Sequence, residues 1–132
     1  MNSPSVNDIA VNYVAYLTTK DETLEWASFA TTDFWLDERW DDLWQAIQII
    51  ALLPEEIDDI SLATIAAGLV EDLLSKNGAP YIDRVLAFSA QTPRMAKMLT
   101  GVWPSSIEPA IWQRVVEFCR KVPDPIDGTY QY

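Results

Sequence analysis

The stretch Ser61-Leu-Ala-Thr-Ile-Ala-Ala-Gly-Leu-Val-Glu-Asp-Leu-Leu-Ser-Lys-Asn-Gly78 constrains this chain more than any other. Leu62, Ile65, Ala66, Leu69, Val70 and Leu73 recur at the spacing of one helix face. Ser61 is placed to cap the first turn, and Gly78 to stop the last. Ala66, Ala67 and Gly68 leave a nearly bare surface onto which a second helix can close. The pattern predicts a buried central helix with the acidic pair Glu71 and Asp72 near its end.

The flanking sequence is helical in the same way. Ser5-Val-Asn-Asp8 reads as a capping box with Asp in place of Glu, ahead of an apolar stripe through Ile9, Tyr13, Val14 and Leu17. Asp21, Glu22 and Thr23 open a second short helix, with Leu24, Trp26, Ala27 and Ala30 available for packing. A turn near Asp33 or Asp37 precedes a third helix carrying Leu43, Trp44, Ile47, Ile50 and Ala51, which Pro54 ends. After Gly78, Pro80 starts a helix with Tyr81, Ile82, Val85, Leu86 and Phe88 on its packing face. Thr92-Pro93 starts a shorter one that Gly101 ends, and Ser105-Ser-Ile-Glu108 caps a last helix containing Ile111, Trp112, Val115 and Cys119. Pro123, Pro125 and Gly128 make residues 123–132 an irregular tail that Tyr130 and Tyr132 are placed to dock.

No strand alternation and no strict repeat interrupts this pattern. The fold class expected is all-α, a compact irregular bundle or stacked helical hairpins of about six or seven short helices forming a single domain over residues 1–132. At this length a core can form without metal or disulfide. The apolar run Ala46–Leu53 falls far short of the ~20 residues a membrane helix needs. The N-terminal residues lack the basic and apolar parts of a signal peptide, so a cytoplasmic protein without membrane association is expected.

Charge is distributed unevenly. Residues 1–72 hold 15 acidic and 2 basic side chains, whereas residues 73–132 hold 5 acidic and 7 basic ones. Direct nucleic-acid binding is disfavoured, because phosphate contacts need a dense basic surface. A basic protein partner would be drawn to the first half.

Little conventional catalytic chemistry fits the composition. With no histidine, His-based metal sites and Ser/His or Cys/His nucleophiles are excluded. Cys119 stands alone within an apolar helical pattern and reads as a core residue. Gly68, Gly78, Gly101 and Gly128 are too widely separated to make a nucleotide loop, and no cofactor is expected. Carboxylates are the only abundant reactive groups, and none of their spacings reproduces a calcium loop, so no catalytic or metal-ligating residue is assigned.

The acids instead suggest a binding surface. Asp37 with Asp41 and Glu38 with Asp42 are four apart and would share a face if the segment were one helix. Trp35 and Trp40 lie among them as candidate apolar anchors, and Glu55, Glu56, Asp58 and Asp59 extend the acidic run. Core packing is the competing role for these tryptophans, and solvated helix faces for the acids.

Three blocks, Ala66-Ala-Gly-Leu-Val-Glu-Asp-Leu-Leu-Ser-Lys-Asn-Gly78, Tyr81-Ile-Asp-Arg-Val85 and Leu99-Thr-Gly-Val-Trp103, make the region from Trp40 to Cys119 resemble a bacterial all-helical domain family of unknown function. The resemblance implies a helical domain and supplies no catalytic set. Glu71 and Asp72 are expected to hold a following loop or to pair with Arg84, with a binding or catalytic role as the alternative.

The function expected is therefore that of a small acidic protein-interaction domain without enzymatic activity, such as an immunity-type inhibitor that covers the active surface of a basic toxin or nuclease. The alternatives are a carboxylate-based metal-dependent hydrolase and a structural adaptor that binds peptides in helical grooves. Homo-oligomerisation is left open.

Overall fold

A computed structural model describes residues 3–127, and all of their regular structure is helical. Counting Asp59–Asn77 as one run gives seven helices among the described residues. The chain divides into two compact units, the first reaching Ser61 and the second beginning at Leu62.

The first unit contains α1 (Val6–Thr19), a 3-10 turn (Glu22–Leu24), α2 (Glu25–Leu36) and α3 (Trp40–Ala51), with each helix packed against the other two. The expected capping box is present. Ser5 Oγ accepts the Asp8 amide at 3.0 Å, and the Asp8 carboxylate accepts the Ser5 amide at 3.4 Å. Helix α1 buries Ile9, Ala10, Tyr13 and Val14 against Ala27, Thr31 and Phe34 of α2 and the Leu43, Ala46, Ile47 and Ile50 face of α3.

Helix α2 stops in a Schellman turn. Arg39 N–H donates to Phe34 O at 2.7 Å and Glu38 N–H to Trp35 O at 3.3 Å, with Glu38 left-handed at φ 55°. The Arg39 guanidinium lies 5.0 Å from the Phe34 ring centroid, where such turns usually place an apolar contact. The break between α2 and α3 therefore falls at Asp37–Glu38.

The central helix begins earlier than its sequence suggests. Helix α4 (Asp59–Ile65) is capped by Asp58, whose carboxylate accepts the Ser61 amide at 3.0 Å and the Ser61 hydroxyl at 2.8 Å. Ser61 is thus a donor inside the first turn. Asp58 takes the amide of the third helical residue, Ser61, so the helix is capped three residues before the position the sequence marks. The run continues through a π-helical turn (Ala66–Val70) into α5 (Glu71–Asn77). Leu62, Ile65, Ala66, Leu69, Val70 and Leu73 are all buried, whereas Ala67 is exposed. The wide turn at the small residues is the local irregularity that a Gly permits.

The second unit continues with α6 (Ile82–Gln91), α7 (Pro93–Leu99) and α8 (Pro109–Cys119), all three in mutual contact, and α7 also packs on the π-helical turn. Its core holds Val85, Met95, Met98, Leu99, Val102 and Val115. Pro80 lies in the turn before α6, where Tyr81 and Ile82 amides donate to Gly78 O, instead of opening the helix. Helix α8 starts on Glu108 with Pro109 in its first turn and no side-chain cap, so the Ser105–Ser106 pair does not serve it. Ser105 sits in the preceding turn at φ 30°.

Gly78 and Gly101 end their helices without turning left-handed. Gly78 has φ −69°, and a methyl there would overlap the Leu74 carbonyl and lie 2.9 Å from Ile111 Cδ1. The Leu74 carbonyl of its own helix is the nearer obstacle, and the Ile111 side chain of α8 the second. The tail is tied down by Ile126, which is buried and donates its amide to Thr100 Oγ1 at 3.0 Å, and by Asp124, 3.1 Å from Lys97 Nζ. Tyr130 and Tyr132, the expected anchors, lie outside the described residues.

Candidate protein-docking surface

The division into units sorts the charge more sharply than the halves of the sequence do. Residues 1–61 hold 13 acidic side chains against Lys20 and Arg39, and residues 62–132 hold 7 acidic against 7 basic. The net charge of −11 thus belongs entirely to the first unit.

Several of its acids have local roles. Asp8 closes the α1 capping box, and Asp21 accepts the Thr23 hydroxyl at 2.7 Å and amide at 3.0 Å. Those bonds hold the Asp21 carboxyl below its ordinary range, the hydroxyl contributing most. Asp58 is held low in the same way by the Ser61 hydroxyl and then the Ser61 amide. Asp42 pairs with Arg39 at 2.9 Å.

The four-apart pairing of Asp37 with Asp41 and Glu38 with Asp42 does not form as a helix face. Glu38 turns left-handed between the two helices, so Asp37 ends α2 while Asp41 and Asp42 open α3. Asp37, Glu38, Asp41, Glu55, Glu56 and Asp58 are exposed, and Asp42 and Asp59 half-buried. Trp35 and Trp40 are half-buried, and Trp44 lies in the core. Among the described residues no three Cys, Asp or Glu side chains approach closely enough to hold a metal ion.

The surface feature that sequence reasoning missed is on α2. Ala27, Thr31 and Phe34 face the core, while Trp26, Phe29 and Leu36 on the other side are 39%, 65% and 57% exposed. Trp26, one of the positions available for packing, leaves 39% of its surface in solvent. The row follows i, i+3, i+10, with Asp33 filling i+7, so all four side chains share a face. The available signal was a short helix with apolar positions on both faces, more than one core contact can cover.

In the second unit, Glu71 Oε2 accepts the Trp103 amide at 3.5 Å, a loop-holding contact from the turn after α7. Asp72 pairs with Lys76 at 3.3 Å, and burial pushes its carboxyl above the ordinary range despite that cation. The Arg84 guanidinium lies 5.2 Å from the Tyr81 ring centroid. Cys119 is buried. The ends of α6 and α8 and the start of α7 also frame an open, mainly apolar groove of ≈ 400 Å³ that includes Pro93, Ala96, Phe118, Lys121 and Val122.

The model of a family of unknown function, DUF6869, matches residues 16–122. The chain belongs to this family. The DUF6869 match starts well before Trp40, where the resemblance in the sequence begins, and so includes the outer face of α2 as well as the Ala-Ala-Gly block. No curated protein and no solved structure matches the chain. No helix among the described residues is long and apolar enough to cross a membrane.

Proposed function

We propose that this DUF6869 chain is a protein-interaction domain whose acidic first unit docks a basic protein partner, acting as an immunity-type inhibitor by covering the active surface of a basic toxin or nuclease. The observation that supports this most is the coincidence of two features in one unit. The whole net charge and an exposed apolar row both belong to residues up to Ser61. Long-range attraction raises the encounter rate with a cationic partner, and desolvated aromatic side chains then supply the affinity.

The test is to identify the partner by affinity capture from the source cells, then measure its association rate at low and high salt. A basic partner whose association slows at least tenfold from about 50 to about 300 mM salt, and slows similarly with Asp37→Asn, Asp41→Asn and Glu56→Gln combined, supports this reading. A salt-independent rate overturns it.

A peptide-binding adaptor is the second reading, and the groove of ≈ 400 Å³ beside Phe118 and Val122 favours it. It predicts binding that is insensitive to salt and lost on Ala96→Trp. The carboxylate hydrolase is the remaining alternative, and no three described acids meet as a metal site.

A further inference from the structure

We infer that the outer face of α2 is the contact ridge of the acidic unit, and that it takes a cationic amphipathic helix. This rests on the reading of the first unit as a docking surface for a basic protein and specifies where and how it docks.

Helix α2 carries apolar side chains on both sides, yet only one side has a place in the core. Phe34 is fully buried, whereas Phe29, on the opposite side of the same helix, is 65% exposed. Trp26, Phe29 and Leu36 span ten residues, or about 15 Å along the axis. An amphipathic helix whose anchors run from i through i+3 or i+4 and i+7 to i+10 or i+11 covers the same length. Three large apolar groups in line differ from the isolated apolar residues of an ordinary surface.

The charge around the ridge specifies the occupant. Glu22 and Glu25 stand at its N-terminal end, Asp33 within it and Asp37 at its C-terminal end, and no basic residue occurs between Lys20 and Arg39. Arg39 is directed to Asp42 and the Phe34 ring. A matching partner therefore carries an apolar stripe with Lys or Arg at both ends. A second copy of α2 would set these acids against their equivalents, and an anionic lipid surface would be repelled by them.

The experiment uses the full chain and two helical peptides of about 18 residues that share one leucine stripe, one with lysines and one with glutamates on the polar face. Binding is followed by calorimetry for the wild type, for Phe29→Ser, and for Glu25→Gln, Asp33→Asn and Asp37→Asn combined. The expected result is that the lysine peptide binds, the glutamate peptide binds roughly 100-fold more weakly or worse, and each variant weakens the lysine peptide at least tenfold. Equal binding to wild type and Phe29→Ser, with loss in the neutralised variant, overturns the ridge but leaves the acidic docking reading standing. No binding of the lysine peptide, or equal binding of both peptides, overturns both. Concentration-dependent dimerisation that Phe29→Ser abolishes overturns the ridge as a partner site in favour of self-association.

Discussion

A methyl group on Gly101 would lie 3.0 Å from the Ala66 Cβ, so the turn after α7 closes directly onto the π-helical turn. The same methyl would sit 3.1 Å from Ile126 Cδ1. Ile126 can rotate away, but Ala66 is fixed by its backbone. Gly101→Ala should therefore destabilise the protein by about 1–3 kcal/mol through overpacking. Urea melts of the variant measure this, and an unchanged midpoint would show that the π-helical turn yields.

The two phenylalanines of α2 make a paired test of its faces. Phe34→Ala should cost about 3–5 kcal/mol by leaving a cavity among α1 and α3 side chains. Phe29→Ser should change stability by no more than about 0.5 kcal/mol, because the folded monomer makes no use of that ring in its core. Thermal melts of both variants decide it. A large loss for Phe29→Ser would mean the ridge is structural.

Glu38 occupies a left-handed position at φ 55° that a side chain strains and glycine does not. Glu38→Gly should raise stability by about 1 kcal/mol while leaving α2 and α3 intact. Chemical denaturation reports the gain. A loss instead would mean that the side chain makes a compensating contact.

Asp58 and Asp72 should respond to pH in opposite senses. Hydrogen bonds from Ser61 lower the folded value of Asp58, so its stabilisation is present above the ordinary aspartate value of about 3.9 and is lost as pH falls through the lower folded value. Burial raises the folded value of Asp72, so the stability linked to that group is full below the ordinary value and is lost as pH rises through the raised one. Compared with wild type, Asp58→Asn should therefore lose more stability near neutral pH than in acid below the aspartate range, and Asp72→Asn should be relatively more stable near neutral pH. Melting temperatures under the two conditions test the signs, and slopes of the same sign for both variants contradict the assignment.

The capping box at α1 offers a smaller, local check. Ser5→Ala should cost about 1 kcal/mol by freeing the Asp8 amide. Hydrogen exchange should speed up in the first turn of α1 before it does in α3. Unchanged protection there would mean that packing by Ile9 and Ala10 alone holds the turn.

Periodicity and caps made the helices legible, because a 3.6-residue repeat and a free amide beside an acceptor are both local. The buried row from Leu62 to Leu73 and the Ser5–Asp8 box are visible in the chain for that reason. Which residue performs a cap was less legible. Asp58 and Ser61 are both competent acceptors, and the helix starts on the first of them.

The candidate surface was legible only as composition. The acids before Leu73 are plain in the sequence, but their grouping depended on whether residues 37–42 continue one helix, and the left-handed Glu38 breaks it. Trp26 and Phe34 are both large and aromatic, and no local rule says which of them the core will use.

By itself the sequence determined the all-helical class, the acidity of the first unit and the absence of histidine chemistry, since these follow from residue type and near-neighbour spacing. The tertiary structure alone decided that α2 turns Phe34 inward and Phe29 outward, and that Gly101 is glycine for close approach to Ala66. Those outcomes depend on which elements meet across long stretches of chain, and that is set by the packing of all the helices in each unit together.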